Sequence, residues 1–412
     1  MAIEERPASG AYSAFAFPDF RYWIAYRYLS GVGLQMKNVA VGWYLYETTG
    51  SAIALGIAGL ASFLPSLIFA LVTGHVADTY NRRIVVTASF AVCALAMGAL
   101  TLAIVGGSAP LWLVYGCVAL IGVGRAFGNP ASQAITPNLV PKAHFANAVT
   151  WYSSTWQFAT VSGPAIGGLF YLLGANVVFA AATLAFAVSA LCVHMLKTPL
   201  SPSKAGRGPI TWETLSAGLT FMWSRQVIFG AIALDLVAVL FGGVTALLPI
   251  LAKDVLDVGP VGLGILRSSP AIGAILMGLA LARMPVERAA GKKMLIAVAI
   301  YGVAAMVVGF SPWFALSVLA LAIMGGADQV SVVIRHTMVQ TETPDEMRGR
   351  VAAVNSIFIS GSSDMGEFRA GMSAAFFGVG PAIVIGGALT VCFAAAWAKL
   401  FPQLAARDKL VQ

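Results

Sequence analysis

Acids and bases stand inside stretches of this sequence that are otherwise apolar enough to enter a membrane, where a charge costs several kcal/mol unless it is given a partner or a task. Asp235 lies about ten residues into an apolar run at 226–251, and Arg267 about seven residues into the next, at 260–283. At about 1.5 Å per residue the two depths nearly coincide, so an Asp235–Arg267 ion pair is expected. Such an acid either carries a proton, with an affinity set by desolvation and its basic neighbour, or pins two helices as a permanent salt bridge. The run Ser363-Asp364-Met365-Gly366-Glu367-Phe368-Arg369 puts three charges within one and a half helical turns, which implies a wet cavity face or an internal network. Glu367 is the second candidate proton carrier. Arg125 and Asp328 are further intramembrane charges, expected to pair with each other, and Asp328 joins the proton-coupling candidates. Lys37 could attract an anion, but it lies close enough to a span end to snorkel outward, and snorkelling is the expectation.

Ligand chemistry is read from a second group. Trp156 and Gln157, with Asn355 and Phe358, offer aromatic faces and a few polar groups, which suit an amphipathic, ring-bearing small molecule. Trp151 and Tyr152 sit nearer a span end, where interfacial anchoring explains them equally well. Asp19, Arg21 and Arg27 are expected to form a cluster at the cytoplasmic end. Neither metal nor cofactor is expected: the four histidines are scattered at span ends with no H-x-x-x-H spacing. The four cysteines lie in apolar segments without a C-x-x-C pair and read as buried thiols. A Walker-type loop is absent, so ATP is not the expected driver.

The elements that must position these residues follow from composition. The 412 residues are 59% hydrophobic and 10% charged, far from the one-quarter charged of a soluble domain. At about 20 residues per span there is room for roughly twelve spans. They are placed near 22–46, 51–74, 84–105, 111–131, 147–172, 176–196, 226–251, 260–283, 294–311, 313–334, 351–376 and 381–399. The fold class is therefore an all-α membrane protein, since isolated apolar runs cross lipid as helices. With both termini cytoplasmic, nineteen of the 25 Lys and Arg fall in cytoplasmic segments or at the cytoplasmic span ends (Arg283 and Lys399), and Lys253 alone lies on the other side. The net charge of +8 thus reports topology and not nucleic-acid binding. The chain before Tyr22 is polar and no cleavage site follows the first span, so no signal peptide is expected.

Residues 197–225 divide the chain into an N-terminal six-helix half (1–196) and a C-terminal one (226–412). The divider begins as a turn-rich linker. Trp212, Leu215, Leu219 and Met222 then recur at helical spacing behind a capping Thr211, which reads as an amphipathic interfacial helix or, alternatively, a partner-binding one. The halves repeat weakly: Pro141 and Gly163 share their spacing with Pro344 and Gly366, so Arg125 aligns with Asp328 and Gly168 with Gly371. Leu55-Gly56 has a counterpart in Leu263-Gly264. Such duplicated halves place a substrate site between them. In the fifth span, Gly163, Pro164, Gly167 and Gly168 combine a kink with a flat face and read as a helix hinge.

Between the second and third spans the sequence Gly74-His75-Val76-Ala77-Asp78-Thr79-Tyr80-Asn81-Arg82-Arg83 must be a short charged hairpin. Its G-x-x-x-D-x-x-x-R-R pattern, complete at Gly74, Asp78, Arg82 and Arg83, resembles the gating motif of the major facilitator superfamily, where it forms a cytoplasmic charge lock. The second copy is degraded here (Ala282-Arg283-Met284-Pro285-Val286-Glu287-Arg288), as is common in that superfamily. Gly163-Pro164 through Gly168 is similar to the G-P-x-x-G-G element of its exporters, and Gly124-Arg125 looks like its fourth-span arginine element, with different flanking residues. The runs Leu234–Pro249, Val332–Arg335, Thr343–Arg350 and Gly366-Glu367-Phe368 resemble the bacterial branch that includes the enterobactin (siderophore) exporter. The resemblance implies the twelve-helix major facilitator fold in two pseudo-symmetric halves. It also implies a multi-pass inner-membrane transporter, a monomer, exporting a small amphipathic molecule (siderophore or drug-like) by proton antiport and alternating access. A lysophospholipid or other lipid transporter of the same fold is the alternative. A non-transporting membrane enzyme would need a nucleophile–base set or metal ligands clustered at one depth.

Overall fold

The structure, a computed structural model, describes residues 10–200, 212–284, 286 and 288–408. Hydrocarbon offers no partner for backbone groups, and the described regular elements are accordingly all helical. The first six spans are Pro18–Thr49, a second broken at Phe69 into Ala52–Ile68 and Ala70–Thr79, Arg82–Val105, Leu111–Gln133, Phe145–Tyr171 and Ala175–His194. The last six are Gln226–Gly242, continued by short irregular turns to Val255, then Gly259–Arg283, Ala290–Phe310, Phe314–Glu342, Asp345–Phe377 and Val379–Leu400. Among the described residues, eight helices are long and apolar enough to cross a membrane on composition alone. The first, second, fifth and eleventh are more polar or interrupted, as befits helices that face protein. Large apolar side chains such as Leu95, Leu102, Trp112 and Phe158 are exposed on the outer surface, where lipid tails would meet them. Cys392 is exposed there too, against the expectation of a buried thiol, while Cys93, Cys117 and Cys192 are buried.

Both ends of the described chain and the connector lie on one face, called here the connector side. Asp19 fixes the connector's start: its carboxylate accepts from the Lys197 and Thr198 amides (3.0 and 2.6 Å) and from the Thr198 hydroxyl (2.5 Å). The expected cluster of Asp19 with Arg21 and Arg27 does not form, because Arg21 instead donates to the Phe15 carbonyl at 2.6 Å and Arg27 points into a cavity. The connector helix Trp212–Ser224 does not simply lie on the interface. Its Met222 is fully buried against Ile228, Ile232, Val351 and Val354, while Trp223 stays exposed. Thr211, the expected cap, lies outside the described residues.

The two groups of six meet through equivalent surfaces. The eleventh span packs on the second and the fifth on the eighth. Gly371 sits on Gly56 and the Ala52 carbonyl; in the other copy Gly168 sits on Pro260 and Val261, and Gly264 on Pro164 and Ala165. A Cβ at Gly371 would stand 2.7 Å from the Ala52 oxygen, and one at Gly264 2.6 Å from the Pro164 oxygen, so the backbones approach only because no side chain intervenes. Within each group the repeat holds as well: Gly163 lies on Val32 and Gln35 of the first span, and Gly366 on Val239 and Leu240 of the seventh. These contacts run from mid-span toward the far side, where the Tyr46 hydroxyl also donates to Asp254 across the two groups.

The seventh span breaks at Gly242 and leaves its last carbonyls without helical partners. Arg369 of the eleventh span answers them, donating from Nε to Leu240 (2.9 Å) and from Nη2 to Phe241 (2.7 Å). A cation at a helix C-terminus also meets the favourable end of the dipole. Arg369→Met should cost about 2–4 kcal/mol, two hydrogen bonds from a charged donor, and lower the thermal midpoint of the purified protein by several degrees, with Arg369→Lys intermediate. An unchanged midpoint in Arg369→Met would mean that the break needs no cap.

Candidate functional site

The interior carries charge in two groups. In the first, Asp235 is 5% exposed and pairs with Arg335 (Oδ2 to Nη1, 3.0 Å), itself 3% exposed. The contact lies off the hydrogen-bond direction, so it is chiefly electrostatic. Asp328 is within electrostatic reach of both. The expected partner, Arg267, is elsewhere: its Nη2 donates weakly to the Thr245 carbonyl at 3.4 Å. Arg267 meets the seventh span at Thr245, beyond its break at Gly242, and the neighbours differ as well: the seventh span packs on the eleventh and twelfth, and the eighth on the fifth and tenth. Arg335 had fallen one residue beyond the span predicted at 313–334, and the helix runs on to Glu342. The continued apolar spacing through Val339 was the signal that could have included it.

The second group crosses between the two sets of six spans. Lys37 is 5% exposed, which overturns the snorkelling expectation, and Glu367 and Asp364 lie within its electrostatic reach. Arg125 and Arg267 complete the group. Glu367 also lies against Gly59 of the second span, where only a glycine leaves room for it. Lys37 and Arg125 therefore come from the first six spans, and Asp364, Glu367 and Arg267 from the last six. Arg125 and Asp328 form no ion pair: Arg125 faces the first six spans' own cavity, while Asp328 stays with Asp235 and Arg335.

That cavity, about 360 Å³, lies in the connector-side part of the first six spans. Arg27, Arg125, Asn129 and Gln133 line it together with Tyr152 and Trp156, whose rings both lie within cation–π distance of the Arg27 guanidinium. Both Trp156 and Tyr152 line this cavity, so Tyr152 turns inward instead of anchoring at the surface. Trp151 donates from its indole to the Ala11 carbonyl at 2.7 Å and stacks on Tyr12. Three expected ligand residues lie apart from this lining. Gln157 is half-buried on the fifth span, Asn355 is buried with an unpartnered Oδ1, and Phe358 packs into the apolar cluster beneath the connector helix. Helical spacing placed Phe358 correctly on its span but could not say that the connector helix would cover it.

At the hairpin, Asn81 caps the third span by accepting from the Arg83 amide at 3.0 Å. Arg82 reaches the Ala134 carbonyl at 3.3 Å and Arg83 the Leu196 carbonyl at 2.5 Å, tying the hairpin to the fourth and sixth spans. Gly74 is buried; the side chain of Asp78 lies outside the described residues.

Solved structures with this arrangement are transporters of the major facilitator fold. The chain is similar to a bacterial homolog of the human lysosomal transporter Spinster, with a TM-score of 0.75 and 14% identity, over 96% of this chain and 98% of that one. It is similar also to the nucleoside transporter NupG, at 0.71 and 14%, over 93% and 99%. At these identities the likeness is one of fold. The sequence matches the family of transmembrane secretion effectors over residues 9–410, and the chain belongs to that family of the major facilitator superfamily. It is a secondary transporter working by alternating access, not an enzyme. Curated relatives include macrolide efflux protein A of Streptococcus pyogenes, 25% identical over 87% of this chain and 89% of its own. The multidrug efflux pump Tap of Mycolicibacterium fortuitum is 29% identical over 83% and 86%. The enterobactin exporter EntS of Shigella dysenteriae is 26% identical over 81% and 80%.

Breaking the buried pair from one side should be worse than removing both charges. Arg335→Met strands the Asp235 carboxylate and is expected to cost about 3–5 kcal/mol, with much of the loss recovered in Asp235→Asn/Arg335→Met. Thermal unfolding of the three variants checks this, and simple additivity would mean that the two charges are not coupled.

Proposed function

We propose that the chain exports small amphipathic molecules, siderophore-like or drug-like, across the inner membrane by proton antiport, acting as a monomer with both termini in the cytoplasm. In this reading the connector side is cytoplasmic, as the clustering of Lys and Arg there favours, and the conformation is closed outside with its cavity toward the cytoplasm. The units are 1–196, the connector 197–225, and 226–412.

The observation that carries the reading is the charge group shared between the units. Lys37 and Arg125 on one unit stand within electrostatic range of Asp364 and Glu367 on the other. Protonating an acid there weakens attraction between the units, which links proton occupancy to their separation. Glu367 is the first candidate carrier, with Asp235 and Asp328 as the alternatives within the C-terminal unit. The hairpin Gly74, Asp78, Arg82 and Arg83 gates the cytoplasmic side, and Gly163, Pro164, Gly167 and Gly168 form the hinge where the fifth span meets the first and eighth. The efflux and enterobactin-exporting activities of its relatives support export. The charged interior weighs against lysophospholipid transport, which would favour an apolar, laterally open cavity.

Everted membrane vesicles with an imposed proton gradient and a pH-sensitive dye test the reading. Adding a macrolide, a catecholate siderophore or a lysophospholipid in turn, one of the first two should collapse the gradient in wild type. Glu367→Gln should reduce that response at least tenfold, and Asp78→Asn should slow it while leaving the fold intact. Uptake of a compound without any proton movement would remove antiport.

A further inference from the structure

In the cavity of the first six spans the Arg27 guanidinium lies 4.3 Å from the Tyr152 ring centre and 4.2 Å from the Trp156 ring centre. Two rings at this distance attract a guanidinium by cation–π interaction, which uses none of its hydrogen-bond donors. Its Nε is buried and has no hydrogen-bond partner among the described residues. Arg125 adds a second cation to the same cavity, and among the described residues no acid lines it. Neither arginine has a carboxylate within ion-pair distance among the described residues.

The acids facing the interior from other elements are already engaged. Asp235 is held by Arg335, and Asp328 lies in reach of the same guanidinium. Asp364 and Glu367 stand among Lys37, Arg125 and Arg267. Three cations share those two acids, and Arg27 has no acid at ion-pair distance among the described residues, so positive charge is in excess; a bound anion relieves it, whereas a cationic ligand would add repulsion. The planar donors of an arginine suit a carboxylate, sulfonate or phenolate, and the neighbouring rings suit an aromatic body.

We infer that this cavity binds an aromatic anion, with Arg27 and Arg125 holding its charged group and Tyr152 and Trp156 its ring. The inference deepens the export reading and rests on it, by naming the substrate class. A cavity of about 360 Å³ accepts a molecule of a few fused or linked rings.

Fluorescein and rhodamine 123 share a xanthene ring system and carry opposite charge, which makes them a matched pair of probes. Fluorescence polarisation on the purified protein in lipid nanodiscs, with empty nanodiscs subtracted, should give at least tenfold tighter binding of fluorescein. Arg27→Gln and, separately, Arg125→Gln should each weaken fluorescein about tenfold or more and leave rhodamine 123 unchanged or improved, with Arg27→Lys between. Thermal midpoints identify a variant that fails to fold, in which case the other is read. Absence of fluorescein binding to wild type, equal or tighter rhodamine 123 binding, or fluorescein binding unchanged in the folded arginine variants would overturn the inference. Proton-coupled efflux in vesicles by a protein that prefers rhodamine 123 would keep export and remove the anionic class.

Discussion

Lipid can neither solvate a charge nor complete a hydrogen bond, so each polar group drawn into this bundle has to be met by another helix. Asp235 is answered by Arg335, the broken end of the seventh span by Arg369, and Lys37 by the acids of the eleventh span. Each answer binds helices distant in sequence. The seventh span is held between the tenth and eleventh by these contacts, which is why its break at Gly242 is tolerated at membrane depth. An irregular segment exposed to hydrocarbon would leave carbonyls unpaired at several kcal/mol each.

The contacts between the two sets of six spans obey a different rule. Gly56 with Gly371, and Gly264 with Pro164, bring backbone against backbone with little side chain to interlock. Attraction there is dispersion over a close surface, short in range and without a deep, direction-specific minimum. Such surfaces hold the far side shut while permitting small rotations. Because the same contact occurs twice at equivalent places, rotation about one is matched at the other, and the two sets can rock as bodies.

Much of this was legible in the sequence because helices, their lengths and glycine spacing are one-dimensional facts. The repeat that aligned Gly168 with Gly371, and Gly56 with Gly264, marked residues that do make equivalent contacts. The site was less legible because its chemistry depends on which helices are neighbours. Rise per residue counted from expected span ends put Asp235 and Arg267 at one depth, but it supplies neither azimuth nor neighbour; Arg267 meets Thr245 beyond the break at Gly242, and Arg335 takes the place beside Asp235. Distance from a span end points Lys37 to the surface, although the acids within its reach come from a helix more than three hundred residues later. Phe358 shows the reverse case: an aromatic of the eleventh span packs into the apolar cluster beneath a connector helix whose docking no spacing rule foretells.

The two charge groups differ in what motion does to them. Asp235 and Arg335 sit on helices of the same six-span set, so a rigid rotation of that set carries both and leaves their separation unchanged. Lys37 and Arg125 face Asp364 and Glu367 across the boundary, so the same rotation changes every distance among them. In a medium of low effective dielectric, a change of a few ångströms between unit charges shifts their interaction by kcal/mol. Charge inside one set therefore builds that set, while charge divided between sets responds to how they stand. A ligand or proton arriving at the divided group alters the balance between closed and open arrangements by its own charge, and the sign of that charge sets the direction.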